Sequence, residues 1–155
     1  GTMPPQEFPL AEGRSIEMTF EDVDLEWETF IWPKSHKGRL TRDPKQVIGG
    51  ERSLLLRGSA RWNTVVFRNI VVPPALTCRI RCDCRALDIR EGGFLYYLLE
   101  QKQRKSKLVR VPLAEGETGH VDGVLTNDEE LPLNLVIGYK TGGSYVIDNL
   151  YVSHV

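Results

Sequence analysis

The chain has few cysteines, almost no net charge, no long apolar run and no sustained helical periodicity, and each shortage removes a class of explanation. Its longest apolar stretches fall well short of the roughly 20 residues that span a bilayer, so no membrane partner is expected. Lys and Arg number 20 against 21 Asp and Glu, a formal charge of -1. That balance leaves no global basic excess to drive nonspecific nucleic-acid binding, and no nucleic-acid partner is expected. The 3 cysteines, Cys78, Cys82 and Cys84, crowd onto one candidate strand. An odd number on a single strand face cannot form a disulfide framework, and CxxxCxC without a neighbouring histidine is poor zinc spacing. They read as buried thiols acting as small apolar residues. His36, His120 and His154 are scattered, and no GxSxG, HExxH or phosphate-cradling glycine loop occurs. Asp128-Glu129-Glu130 supplies adjacent acids in an irregular stretch, which reads as a solvated turn rather than a glycosidase pair. No catalytic residue is assigned, and the chain is read as a non-enzyme.

What is present is β-type patterning. With 155 residues, 41% of them hydrophobic, the chain suits one domain with one good core. Gly1-Thr2-Met3 reads as a cloning remnant with no signal peptide after it. Pro4, Pro5, Pro9 and Gly13 then mark a linker or entry arm, so residues 1–15 are set apart and residues 16–155 form the domain. Short runs at 15–20, 53–57, 63–72, 76–87, 93–101, 107–113, 133–139 and 144–155 read as strands, separated by Gly-Gly, Pro-Pro and Asn-Asp breakers. Each has one apolar side that needs a partner layer, which predicts an all-β antiparallel sandwich of jelly-roll type. Residues 23–52 read as mostly extended loop with one short strand near 29–32, and residues 119–125 as a further short strand.

The last strand breaks its own rhythm. Tyr145 and Ile147 share a face by the period-2 rule, yet Leu150 and Val152 can join them only if an extra residue is accommodated at Asp148-Asn149. A carboxylate at such a bulge either caps backbone donors or holds a cation.

Phe20-Glu21-Asp22 with Trp27 soon after, the segment Ile48-Gly49-Gly50-Glu51-Arg52-Ser53-Leu54-Leu55-Leu56, and Ile147-Asp148-Asn149-Leu150-Tyr151-Val152 stand in an order that resembles jelly-roll carbohydrate-binding modules and the wider galactose-binding-like domains. The resemblance implies a noncatalytic domain that binds a poly- or oligosaccharide, accessory to a flanking catalytic domain and extracellular or periplasmic. It also implies a structural calcium ion tying the first strand to the last, held here by Glu21 and Asp148 with carbonyls from residues 48–53. Val23 stands where the family's turn carries glycine. The alternative is a structural or protein-interaction domain of the same fold with no sugar site.

Such modules bind sugar through flat aromatic rings flanked by polar groups. Along 77–85 the odd positions Arg79, Arg81, Asp83 and Arg85 face away from the cysteines and form a basic ladder, which either grips acidic sugars or is solvated among acids such as Glu100. Tyr96 shares parity with Glu100 and Lys102 and is expected outward, beside this ladder, with Tyr97 in the core. Arg68 and Asn134 are candidates to join it. Trp62 is a candidate stacking platform, Trp27 and Trp32 are candidates to line the long loop, and the basic hairpin at 101–107 reads as a solvated tip.

Overall fold

A computed structural model describes residues 14–22, 29–32 and 37–155. The expected entry arm up to Gly13, and with it Trp27 and His36, lie outside the described residues. The described strands are β1 (Ser15–Met18), β2 (Thr29–Trp32), β3 (Lys37–Thr41), β4 (Ser53–Gly58), β5 (Trp62–Val72), β6 (Thr77–Ile89), β7 (Phe94–Gln101), β8 (Arg104–Lys105), β9 (Val109–Val111), β10 (Thr118–Thr126), β11 (Leu133–Lys140) and β12 (Gly143–His154). No helix is found among these residues.

They form two antiparallel sheets. The first runs β10-β6-β12-β4-β3, with β1 also on β12; the second runs β2-β5-β11-β7-β8, with β9 also on β7. Each strand named in both readings falls within a few residues of its expected bounds. Strands β3 and β8 were not foreseen, because Lys37–Thr41 and Arg104–Lys105 carry too little apolar alternation to signal a strand.

Alternation explains which face each strand buries. On β6, Cys78, Ile80, Cys82, Cys84 and Ala86 are all buried in the inter-sheet core while the odd positions point out. The thiols are free. Burial pushes Cys78 and Cys84 up to about 11 and Cys82 further in the same direction, so none is a thiolate at neutral pH. From the facing sheet, β5 contributes Val65 and Phe67, β7 contributes Leu95, Tyr97 and Leu99, and β11 contributes Leu135, Ile137 and Tyr139. Tyr139 and Tyr145 meet across the sheets with ring centroids 4.7 Å apart. Tyr97 is in the core as expected.

The parity break in β12 is a β-bulge. Ile147 pairs with Cys84 and Asp148 with Asp83, but the next partner of Arg81 is Tyr151, so three residues of β12 span two of β6. Asn149 takes the left-handed conformation, φ 51°, and its side chain turns out, which restores Leu150 and Val152 to the core beside Tyr145 and Ile147. The bulge also marks a change of neighbour. Residues 143–147 pair with β4, whereas residues 150–153 pair with β1.

Candidate functional site

The two groups of candidate sugar-binding residues lie on opposite outer faces of the sandwich. The arginine ladder is on the first sheet; Tyr96 and Trp62 are on the second, together with Glu100, Arg68 and Asn134. The expected adjacency of Tyr96 to the ladder is therefore corrected. Strand parity fixes inside against outside, but the turn at 90–93 carries the chain from one sheet to the other, and parity is blind to that crossing.

On the second sheet, Trp62, Thr64 and Val66 of β5, Val136 and Lys140 of β11, and Phe94, Tyr96, Leu98 and Glu100 of β7 share the outer face by register. Tyr96, Leu98 and Val136 form a small apolar cluster separate from the main core, with Val66, Phe94 and Leu108 against it. Above it lies a groove of about 410 Å³ lined by Trp62, Thr64, Val66, Tyr96, Leu98, Glu100, Lys105 and Leu108. Trp62 is 39% exposed and Tyr96 only 2%, so the tryptophan is the wall and the tyrosine the floor. Their rings meet edge to face at 5.5 Å. Tyr96 is seated by what β11 lacks: a Cβ at Gly138 would collide with the Tyr96 hydroxyl and with the Asn63 carbonyl. That hydroxyl donates to the Asn63 carbonyl at 3.3 Å. At the far end, burial pushes the Glu100 carboxyl above its ordinary value, with Lys105 on the paired strand opposing the shift. The backbone of Trp32 pairs with Thr64 at the groove's edge.

Sequence reasoning picked out Trp62 and Tyr96 but missed the rest of this groove. The available signal was β7 itself, where both parities are apolar: a strand that is apolar on both faces has something to cover on each.

On the first sheet the ladder side chains are engaged within the molecule. Arg79 donates to both oxygens of Asp122, each at 2.8 Å. Arg81 lies 3.9 Å from the same carboxylate and 6.0 Å from the Tyr151 ring centroid. Arg85 donates to Thr118 Oγ1 at 2.8 Å and to the Gln46 carbonyl at 3.1 Å, tying the loop after β3 to the sheet. Asp83 Oδ1 lies 2.5 Å from His120 Nδ1, and Asp83 Oδ2 accepts from Asn149 Nδ2 at 2.8 Å. At the hairpin tip Arg104 faces Glu129 at 3.6 Å, so one of the three consecutive acids has a cation as its neighbour.

The third site is at the bulge. Asp148 is fully buried and accepts from the Ser53 hydroxyl at 2.6 Å, the Gly49 amide at 3.1 Å and its neighbour Asn149 at 2.7 Å. Glu21 Oε1 accepts from the amides of Glu51 at 2.9 Å and Arg52 at 3.3 Å, and the Arg52 guanidinium donates to the Glu21 carbonyl. Both candidate metal ligands thus converge on the turn before β4. Burial, then the charge of Glu21, raises the Asp148 carboxyl, opposed by its three donors. Mutual repulsion between two carboxylates favours a hard cation, and each retains lone pairs for one. The donors already in place are N–H and O–H groups, and no cluster of three His, Cys, Asp or Glu is found among the described residues.

No family model matches the chain, and no curated protein matches its sequence. Solved structures do match its fold. The CBM22-1 xylan-binding domain of Paenibacillus barcinonensis Xyn10C is 15% identical, with 93% of this chain and 96% of that one covered and a TM-score of 0.61. A carbohydrate-binding module (CBM6cm-2) from Cellvibrio mixtus lichenase 5A, solved with cellotriose, is 10% identical over 89% of this chain and 99% of that one, TM-score 0.55. The fold is the jelly roll of carbohydrate-binding modules. The CBM22-1–GH10 modules of Clostridium thermocellum endo-1,4-β-D-xylanase 10B, solved with xylohexaose, match at 10% identity and TM-score 0.61, covering 90% of this chain and 28% of that one.

Proposed function

We propose that the chain is a noncatalytic carbohydrate-binding domain that holds an oligo- or polysaccharide in the groove between Trp62 and Glu100. The observation that carries this reading is a half-exposed tryptophan standing over an apolar, Tyr96-floored groove on an outer sheet face, with Glu100 and Lys105 at its other end. A pyranose ring stacks its C–H face on such an indole, and the terminal charges take its hydroxyls. The solved modules of like fold, bound to cellotriose or described as xylan-binding, support the ligand class.

The arginine ladder supports the opposing reading of a structural or protein-interaction domain, since Arg79, Arg81 and Arg85 are all engaged internally. The exposure of Trp62 weighs against that reading, which needs its tryptophans buried. The ladder residues Arg79, Arg81, Asp83 and Arg85 are proposed only as a secondary glycan surface. A calcium ion held by Glu21 and Asp148 is proposed as a stabiliser of the fold without chemistry. A flanking catalytic domain and an extracellular or periplasmic setting fit this role, and the xylanase whose modules share the fold is one such arrangement.

A glycan-array screen followed by calorimetry on the best neutral and acidic hits tests the site. Trp62→Ala is expected to weaken binding by about tenfold or more while leaving the melting temperature within a few degrees, because truncating a central aromatic anchor of a binding site costs about 2 kcal/mol. A protein that binds no glycan, or binds equally well without Trp62, rules out the groove.

A further inference from the structure

Resting on the glycan-groove reading, we propose that Arg110 and Lys140 form an anion-reading subsite at the Trp62 end, which selects sugars bearing a carboxylate. The register builds this corner from four strands: Lys140 of β11 pairs with Trp62 of β5 on one side and Phe94 of β7 on the other, while Arg110 of β9 pairs with Tyr96 of β7. The Arg110 guanidinium lies 4.0 Å from the Phe94 ring centroid. The Lys140 ammonium lies 5.2 Å from the Trp62 ring centroid and 5.8 Å from that of Phe94. Phe94 in turn meets Tyr96 edge to face at 6.3 Å, so the corner is continuous with the groove floor.

Two features make this a recognition device. Neither cation has an ion-pair partner among the described residues, whereas Arg79, Arg81, Arg90 and Arg104 each face a carboxylate. The two cations come to the Phe94 ring from the strands on either side of β7, so the corner carries two positive charges with no carboxylate among the described residues to balance them, and an anion at its rim is attracted by both. A guanidinium laid on a ring also keeps its in-plane N–H donors free at the edge, the geometry that takes a carboxylate through two parallel hydrogen bonds. A hexuronate stacked on Trp62 would present its carboxylate to this corner. The groove's one acid, Glu100, is at the opposite end beside Lys105, away from where that charge would sit.

The test uses calorimetry with a galacturonate hexamer, its fully methyl-esterified form and xylohexaose. The acid form is expected to bind about tenfold more tightly than its ester at low salt, with the gap closing as salt rises to about 1 M. Arg110→Gln and Lys140→Gln are each expected to shrink that gap while leaving xylohexaose binding and the melting temperature unchanged. Arg39→Gln, on the edge strand β3 of the other sheet, should leave the gap intact. Equal binding of acid and ester, or a gap that both corner variants retain, or one that Arg39→Gln abolishes, overturns the anion subsite and leaves the groove standing. No binding of any probe overturns both.

Discussion

Asp148 shows how much one side chain can be asked to hold. Its carboxylate ties the Gly49 amide and the Ser53 hydroxyl to the last strand from a site with no solvent access. Asp148→Ala leaves those buried donors unpaired and is expected to cost about 3 kcal/mol in urea unfolding, with Asp148→Asn costing less because its carbonyl still accepts. The pH dependence has a definite sign. Burial holds the folded-state carboxyl above its ordinary 3.8, so the native state keeps that proton more tightly than the unfolded chain does. The contribution of this group to stability is fullest below the unfolded value and declines as pH rises through the raised one. The stability of the native protein relative to Asp148→Asn should therefore fall as pH is raised through that window; a difference that is flat or that grows with pH contradicts the assignment. Gly50 plays the complementary part on the other side of the turn. It sits at φ 61°, and a Cβ there would collide with the Glu21 carboxylate.

At the scale of strands, β6 makes a chemical prediction. All three thiols lie on its core face and are held neutral by burial, so a disulfide-exchange reagent such as DTNB should titrate none in the native protein and three after denaturation. Rapid reaction of any one thiol under native conditions would mean that β6 frays. This face was legible from sequence because Cys78, Ile80, Cys82 and Cys84 alternate strictly with Arg79, Arg81, Asp83 and Arg85 over four periods. The bulge in β12 was legible for the same reason, since only an inserted residue lets Tyr145, Ile147, Leu150 and Val152 share the core. The groove was not. Its members come from β5, β7 and the segments after β7, on either side of β11, and what unites them is the order of strands in the second sheet, a long-range property that no local pattern encodes. The charged corner at Arg110 escaped notice because a lone arginine in a short edge strand looks like any solvated residue until Phe94 is seen beneath it.

For the molecule as a whole, the proposed calcium ion has a stability signature. An ion that binds only the folded chain raises its melting temperature by an amount that grows with the logarithm of its concentration above the dissociation constant, so chelation should lower it and excess calcium restore it. A melting temperature indifferent to both would leave the hydrogen bonds of Asp148 and Glu21 as the whole of that junction. Sheet order has a further effect, on how the protein is made. The middle of the first sheet is β12, flanked by β6 on one side and by β4 and then β1 on the other, and it is the last of the described strands in the chain. During synthesis the edges of β1, β4 and β6 therefore emerge with their shared partner still unmade. They must be kept from pairing elsewhere until residues 143–154 clear the ribosome. Folding of this sheet is thus governed by one long-range closure, and it should proceed on the slow, millisecond-to-second scale of sandwiches rather than the microsecond scale of helical bundles.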